Sequence, residues 1–125
     1  MNRPQNSDIK QVGTSENGKK ILDRLTKKTI DGNHNPDRMF KETNAAFKFA
    51  IALAIKMNLE PIESRFSTSW ASEALDADGR LSWLILSKYP DEAPFRLSQS
   101  LGEAGLQFIE SSLNSGAKFI DLVQS

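Results

Sequence analysis

The chain has no cysteine and a single histidine, His34, in 125 residues. Without cysteine there is no disulfide, no thiolate metal site and no thiol nucleophile. One histidine cannot furnish the several ligands that a typical metal site needs. Asp31, His34 and Asp37 recur at every third position, but Gly32 and Pro36 among them argue for a loop. His34 therefore reads as a solvated loop residue. Long apolar runs are also missing. Met1 to Asp8 is polar and holds no apolar stretch of the signal-peptide kind. The longest apolar stretch covers about 15 residues between Asn44 and Leu59, short of the ~20 that cross a bilayer, and Lys48 and Lys56 interrupt it. The expectation is a soluble, cytoplasmic protein with no membrane partner.

Several chemical motifs are absent too. There is no Gly-x-Gly-x-x-Gly turn, no phosphate loop and no Gly-x-Ser-x-Gly elbow. Asp76-Ala77-Asp78-Gly79 fails as a calcium loop. Aligned on Gly79, such a loop needs an oxygen ligand where the chain has Ala74 and a glutamate where it has Ile85. It reads as a turn, and the pairs Asp76/Asp78 and Asp91-Glu92 lie beside turn residues where carboxylates are expected anyway. No catalytic residues stand out, and no cofactor or metal is implied. The expectation is a non-enzymatic protein; a small carboxylate-based hydrolase is the least favoured alternative.

What is present is an uneven distribution of charge. The formal net charge is zero. Residues 1–48 nevertheless carry ten basic against six acidic side chains, and residues 49–125 carry the remaining six basic against ten acidic. Such a split hints at a polyanionic partner, or at complementary halves of neighbouring subunits.

The length suits one domain. Residues 1–13, polar and without periodicity, predict a flexible leading segment, and residues 14–125 a single helical domain. A first helix is expected from Thr14 or Ser15 to about Thr29, before the breaker 31–36. Asn35-Pro36-Asp37 reads as the next helix start, with Thr43 or Asn44 as alternative starts and Pro61 as the stop. That second helix is apolar on nearly every side, so it must be enclosed. A short helix over Trp70 to Leu75, a helix over 81–89, a helix from Phe95 weakened or split by Gly102 and Gly105, and a last helix over Ala117 to Val123 complete the reading. The predicted fold is all-α: a small bundle of five or six helices around a central apolar helix. That helix is expected to take part of its cover from another subunit.

The first helix is the strongest candidate for function. On a helical wheel Lys20, Arg24, Lys27 and Lys28 fall within roughly 100° of one another. Ile21, Leu22 and Leu25 occupy the adjacent arc. Such a cationic stripe suits backbone phosphates of nucleic acid; it also suits the plain solvated face of an amphipathic helix. Trp70, Trp83 and Tyr89 could stack on bases, although packing is the commoner use of such residues.

The order of segments carries a resemblance. A basic helix, Ile21-Leu22-Asp23-Arg24-Leu25-Thr26-Lys27-Lys28-Thr29, is followed by the alanine-rich Phe47-Lys48-Phe49-Ala50-Ile51-Ala52-Leu53-Ala54. Pro61, Ser69-Trp70 and a closing Leu113-Asn114-Ser115-Gly116-Ala117-Lys118-Phe119 come after. Over residues 15–123 this resembles the DndE family of DNA sulfur-modification (phosphorothioation) proteins. Two departures stand out: a longer loop at 31–36, and Asn114-Ser115 where the family tends to carry His or Arg. The resemblance implies a small, mainly helical, oligomeric accessory protein that binds duplex DNA, nicked duplex included. It implies protein partners in a modification or defence complex, and DNA contacts by Lys20, Arg24, Lys27 and Lys28. The alternative is an assembly module with no nucleic-acid role, using exposed apolar positions among Trp83, Ile85, Leu86 and Phe119.

Overall fold

The computed structural model describes residues 8–118 together with Asp121 and Leu122. Ser15 starts the first helix, α1 (Glu16–Thr26): its backbone is extended, and its Oγ accepts the Gly18 N–H at 2.8 Å. Glu16 in the first turn complements the positive end of the helix dipole. The helix stops at Thr26, short of the expected Thr29, because residues from outside claim its last carbonyls. Asn35 Nδ2 donates to the Arg24 and Lys27 oxygens, each at 2.7 Å, Arg38 Nε to that of Thr26 at 2.8 Å, and the Met39 N–H to that of Leu25 at 2.7 Å. A helix end leaves such groups free, so these bonds define where the helix stops. Asn35, expected to open the second helix, instead closes the first.

Between these points β2 (Thr29–Ile30) and β3 (Asn33–His34) pair antiparallel. Asp31 and Gly32 join them with φ of 53° and 80°. Left-handed backbone at both central residues is the two-residue hairpin turn whose twist matches that of the strands.

The apolar helix α2 (Thr43–Lys56) uses the later of the two expected starts and buries Ala46, Phe47, Ala50, Ile51, Leu53 and Ala54. It ends through Asn58, at φ 56°, with the Leu59 N–H donating to Ala54 O at 2.9 Å. Its main cover is α5 (Pro94–Asn114), a continuous helix of 21 residues. Gly102 and Gly105, expected to weaken or split α5, let it lie against α2. A Cβ at Gly105 would collide with the backbone carbonyl of Ala50, and one at Gly102 with the ring of Phe47. Ile21, Leu22 and Leu25 of α1 join the same core. The buried side of α2 is thus covered by this chain itself.

The expected all-α class is corrected by strands. β1 (Gln11–Thr14) pairs antiparallel with β4 (Ser67–Ala71), Gln11 opposite Ala71 and Thr14 opposite Ser67, with an irregularity at Val12/Gly13 that leaves Ser69 without an opposite residue. With 54% helix, 12% strand and two two-stranded antiparallel sheets among the described residues, the fold is mixed α/β. The physical reason is non-local. Gly13 has no Cβ where the Ser67 carbonyl lies, and its N–H donates to Gln99 Oε1 of α5 at 2.8 Å. Residues 8–13, expected to be flexible, are held by these bonds and by Asp8. The Asp8 carboxylate accepts the Phe95 and Arg96 N–H groups at the start of α5, at 2.9 and 2.8 Å.

Trp70 and Ala71, expected to be helical, belong to β4; Trp70 lies on Phe47 with ring centroids 4.9 Å apart. A single turn, α3 (Ser72–Leu75), leads to the Asp76–Gly79 turn and α4 (Arg80–Lys88). Both oxygens of Asp76 cap α4, accepting from the Leu81 and Ser82 N–H groups. The expected last helix lies largely outside the described residues, Phe119, Ile120 and Val123 among them; Leu122 is buried. Among the described residues no helix is long and apolar enough to cross a membrane.

Candidate nucleic-acid interface

α1 is fixed at both ends and along one side. Ser15 Oγ, besides capping the helix, donates to Glu103 Oε1 of α5 at 2.7 Å, and Gln107 donates to the other Glu103 oxygen at 2.8 Å. Gly18 makes room for this contact: a Cβ there would stand 3.2 Å from Glu103 Oε1. Ile21, Leu22 and Leu25 are buried. What faces water is the cationic side.

The four cations singled out by the sequence divide into two kinds. Lys20 is exposed on α1, and Lys28 is exposed two residues beyond its end; neither makes an ion pair among the described residues. Lys27, the C-terminal cap in extended conformation, lies 3.6 Å from Asp23. Both partners are largely exposed, and such a pair contributes little and yields readily to a stronger anion. Arg24 differs. Its Nε meets Asp37 Oδ2 at 2.9 Å and its Nη1 donates to Asn114 Oδ1 at 2.8 Å. Its guanidinium ties α1 to the following loop and to the end of α5. Arg24 is a brace for the surface that Lys20, Lys27 and Lys28 present. From Lys20 to Lys27 the helix advances about 10 Å, the axial reach of about three successive phosphates on one strand.

Two cations outside the expected stripe flank a polar groove of about 630 Å³ at the start of α1. Lys19 and Arg65 stand on it, with Ser15, Asn17, Thr68 and Gln107 among its lining. Glu16 and Glu103 are there too, so the groove is charge-balanced. A smaller hollow of about 310 Å³ adjoins it, sharing Lys19 and reaching Asp23 and Trp70. Arg65 lies in the loop before β4, in a stretch (62–69) of only weak alternation, and the pairing of β4 with β1 brings it beside α1. No sequence signal marks that approach.

The remaining candidates fall elsewhere. His34 is exposed in β3, Asp31 forms the hairpin turn, and Asp37 is occupied by Arg24. Tyr89 is half-buried, with Lys88 Nζ 5.7 Å from its ring centre. Of the apolar candidates, Ile85 is buried, Phe119 lies outside the described residues, and Trp83 and Leu86 are 70% and 38% exposed. No protein-family model, curated protein or solved structure matches the chain.

Proposed function

We propose that this chain is a non-enzymatic, cytoplasmic accessory protein that binds the backbone of duplex DNA through Lys20, Lys27 and Lys28, with Arg24 holding that surface in place. The observation that carries the reading is the exposure of Lys20 on an anchored helix and of Lys27 and Lys28 at and just beyond its end, none held by more than one weak ion pair among the described residues. Contacts of this kind read phosphates rather than base edges, so binding is close to sequence-independent and strongly salt-dependent. The resemblance to the DndE family supports a place in DNA phosphorothioation, with protein partners from a modification or defence complex and self-assembly as further parts of the proposal.

The test is a gel shift with duplex DNA at two salt concentrations. Lys20→Glu/Lys27→Glu/Lys28→Glu is expected to abolish the shift while leaving the melting transition in place. A triple variant that shifts DNA like the parent ends the proposal. A second reading, a protein-interaction module, is favoured by one observation, the outward-facing Trp83.

A further inference from the structure

The polar groove at the start of α1 holds a charge that the fold does not pair. Glu103 of α5 is 3% exposed, yet it lines the groove. Ser15 and Gln107 each donate one hydrogen bond to its carboxylate, and among the described residues it has no ion pair. A buried carboxylate held only by neutral donors lacks counter-charge, and a cation brought to it is favoured. Gln107 uses its amide N–H on Glu103, so its carbonyl oxygen is left as a further acceptor. Acceptors of this kind suit an ammonium group, which carries donors alone. The rim has the opposite sign. Lys19 and Arg65 line the same groove, both are exposed, and neither makes an ion pair among the described residues. Lys19 stands one turn, about 5 Å, further along α1 than Ser15, whose hydroxyl touches Glu103.

We propose that this groove binds a free α-amino acid with a neutral polar side chain, its ammonium on Glu103 and Gln107 and its carboxylate on Lys19 and Arg65. Charge decides the class. A polyanion entering the groove would meet Glu16 and Glu103, and a polyamine would meet Lys19 and Arg65. A zwitterion satisfies both signs at once. The side chain follows from the rest of the lining, which is polar throughout and includes the hydroxyls of Thr14, Ser64, Ser67 and Thr68. An aliphatic side chain finds no apolar wall there, and a charged one upsets the balance. The volume of about 630 Å³ falls within the range of small-molecule sites. The site uses none of Lys20, Lys27 and Lys28, so it stands apart from the DNA reading and does not depend on it.

The test is an NMR titration of the full, isotope-labelled chain with serine, threonine, asparagine and glutamine, each added singly up to about 10 mM, a range that reaches weak complexes. At least one of the four is expected to give saturable shifts of the backbone amides of Ser15, Gly18, Glu103 and Gln107. For that amino acid, the N-acetyl form and the carboxamide form should each bind about tenfold more weakly or worse, since each removes a charge-assisted contact. Glu103→Gln should bind the free and N-acetyl forms alike. Lys19→Gln/Arg65→Gln should bind the free acid and its carboxamide alike. Both rim positions are exposed, so this second variant keeps the parent's melting transition and tests the site whatever Glu103→Gln does to stability. No saturable shift with any of the four amino acids overturns the proposal. So does a blocked form that binds as well as the free one, or a rim variant that binds like the parent.

Discussion

Ser15 joins two jobs in one hydroxyl, and its removal gives a loss that can be worked out. As the N-cap of α1 it accepts the Gly18 N–H; as a donor it holds the Glu103 carboxylate, which is 3% exposed. Loss of a serine cap costs about 1 kcal/mol. A buried carboxylate deprived of one donor costs about 1–2 kcal/mol more. Ser15→Ala should therefore destabilise the domain by about 2–3 kcal/mol, a fall of about 8–12 °C in melting temperature for a chain of this length. Ser15→Thr keeps both bonds and should stay within about 1 kcal/mol of the parent. A double-mutant cycle with Glu103→Gln separates the two parts. The cap contribution persists in the Gln background, while the coupling between positions 15 and 103 should come out near 1 kcal/mol. The assay is thermal and urea denaturation followed by circular dichroism. A melting temperature for Ser15→Ala within about 2 °C of the parent, or a coupling indistinguishable from zero, would refute the reasoning.

Two further substitutions probe the packing around the same surface. Gly105→Ala should destabilise by about 1–3 kcal/mol through collision with Ala50, although helix propensity alone predicts a gain of about 1 kcal/mol, so the sign of the change in a urea titration decides between them. Arg24→Lys keeps the charge but cannot reproduce the fork between Asp37 and Asn114. A loss of about 0.5–1 kcal/mol in stability is expected, with a fall in DNA affinity that extra salt-bridging charge elsewhere does not rescue, measured by melting and by fluorescence anisotropy.

The helices were legible in the sequence because their signals are local. The apolar spacing of Ile21, Leu22 and Leu25, the near-continuous apolar run of α2 and the turn at Asp76–Gly79 each place an element without reference to the rest of the chain. The β1–β4 pair was not legible. Gln11-Val12-Gly13-Thr14 has no alternation to speak of, and it becomes a strand because Ser67–Ala71, far along the chain, lies beside it. The hairpin could have been read: Asp31-Gly32 is a strong two-residue turn signal, and its role as a helix breaker hid it. Gly102 and Gly105 look like weaknesses of α5 until α2 is seen packed against them. At the candidate site, exposure of Lys20 follows from the helical wheel, whereas Lys28 lies beyond the end of α1, where the wheel no longer applies. The capture of Arg24 does not follow from it, since Asp37 and Asn114 reach it from a loop and from the far end of α5. Asp8 is a similar case, capping a helix that begins at Pro94.

The claim that α1 presents its lysines to phosphates is tested most directly by the salt dependence of duplex binding. Fluorescence anisotropy of a labelled duplex, repeated across a series of salt concentrations, gives the slope of log K against log salt. Three phosphate contacts predict a slope of about −3 for the parent, and each of Lys20→Ala, Lys27→Ala and Lys28→Ala should reduce its magnitude by about one. A parent slope near zero, or one that the three substitutions leave unchanged, would contradict the account.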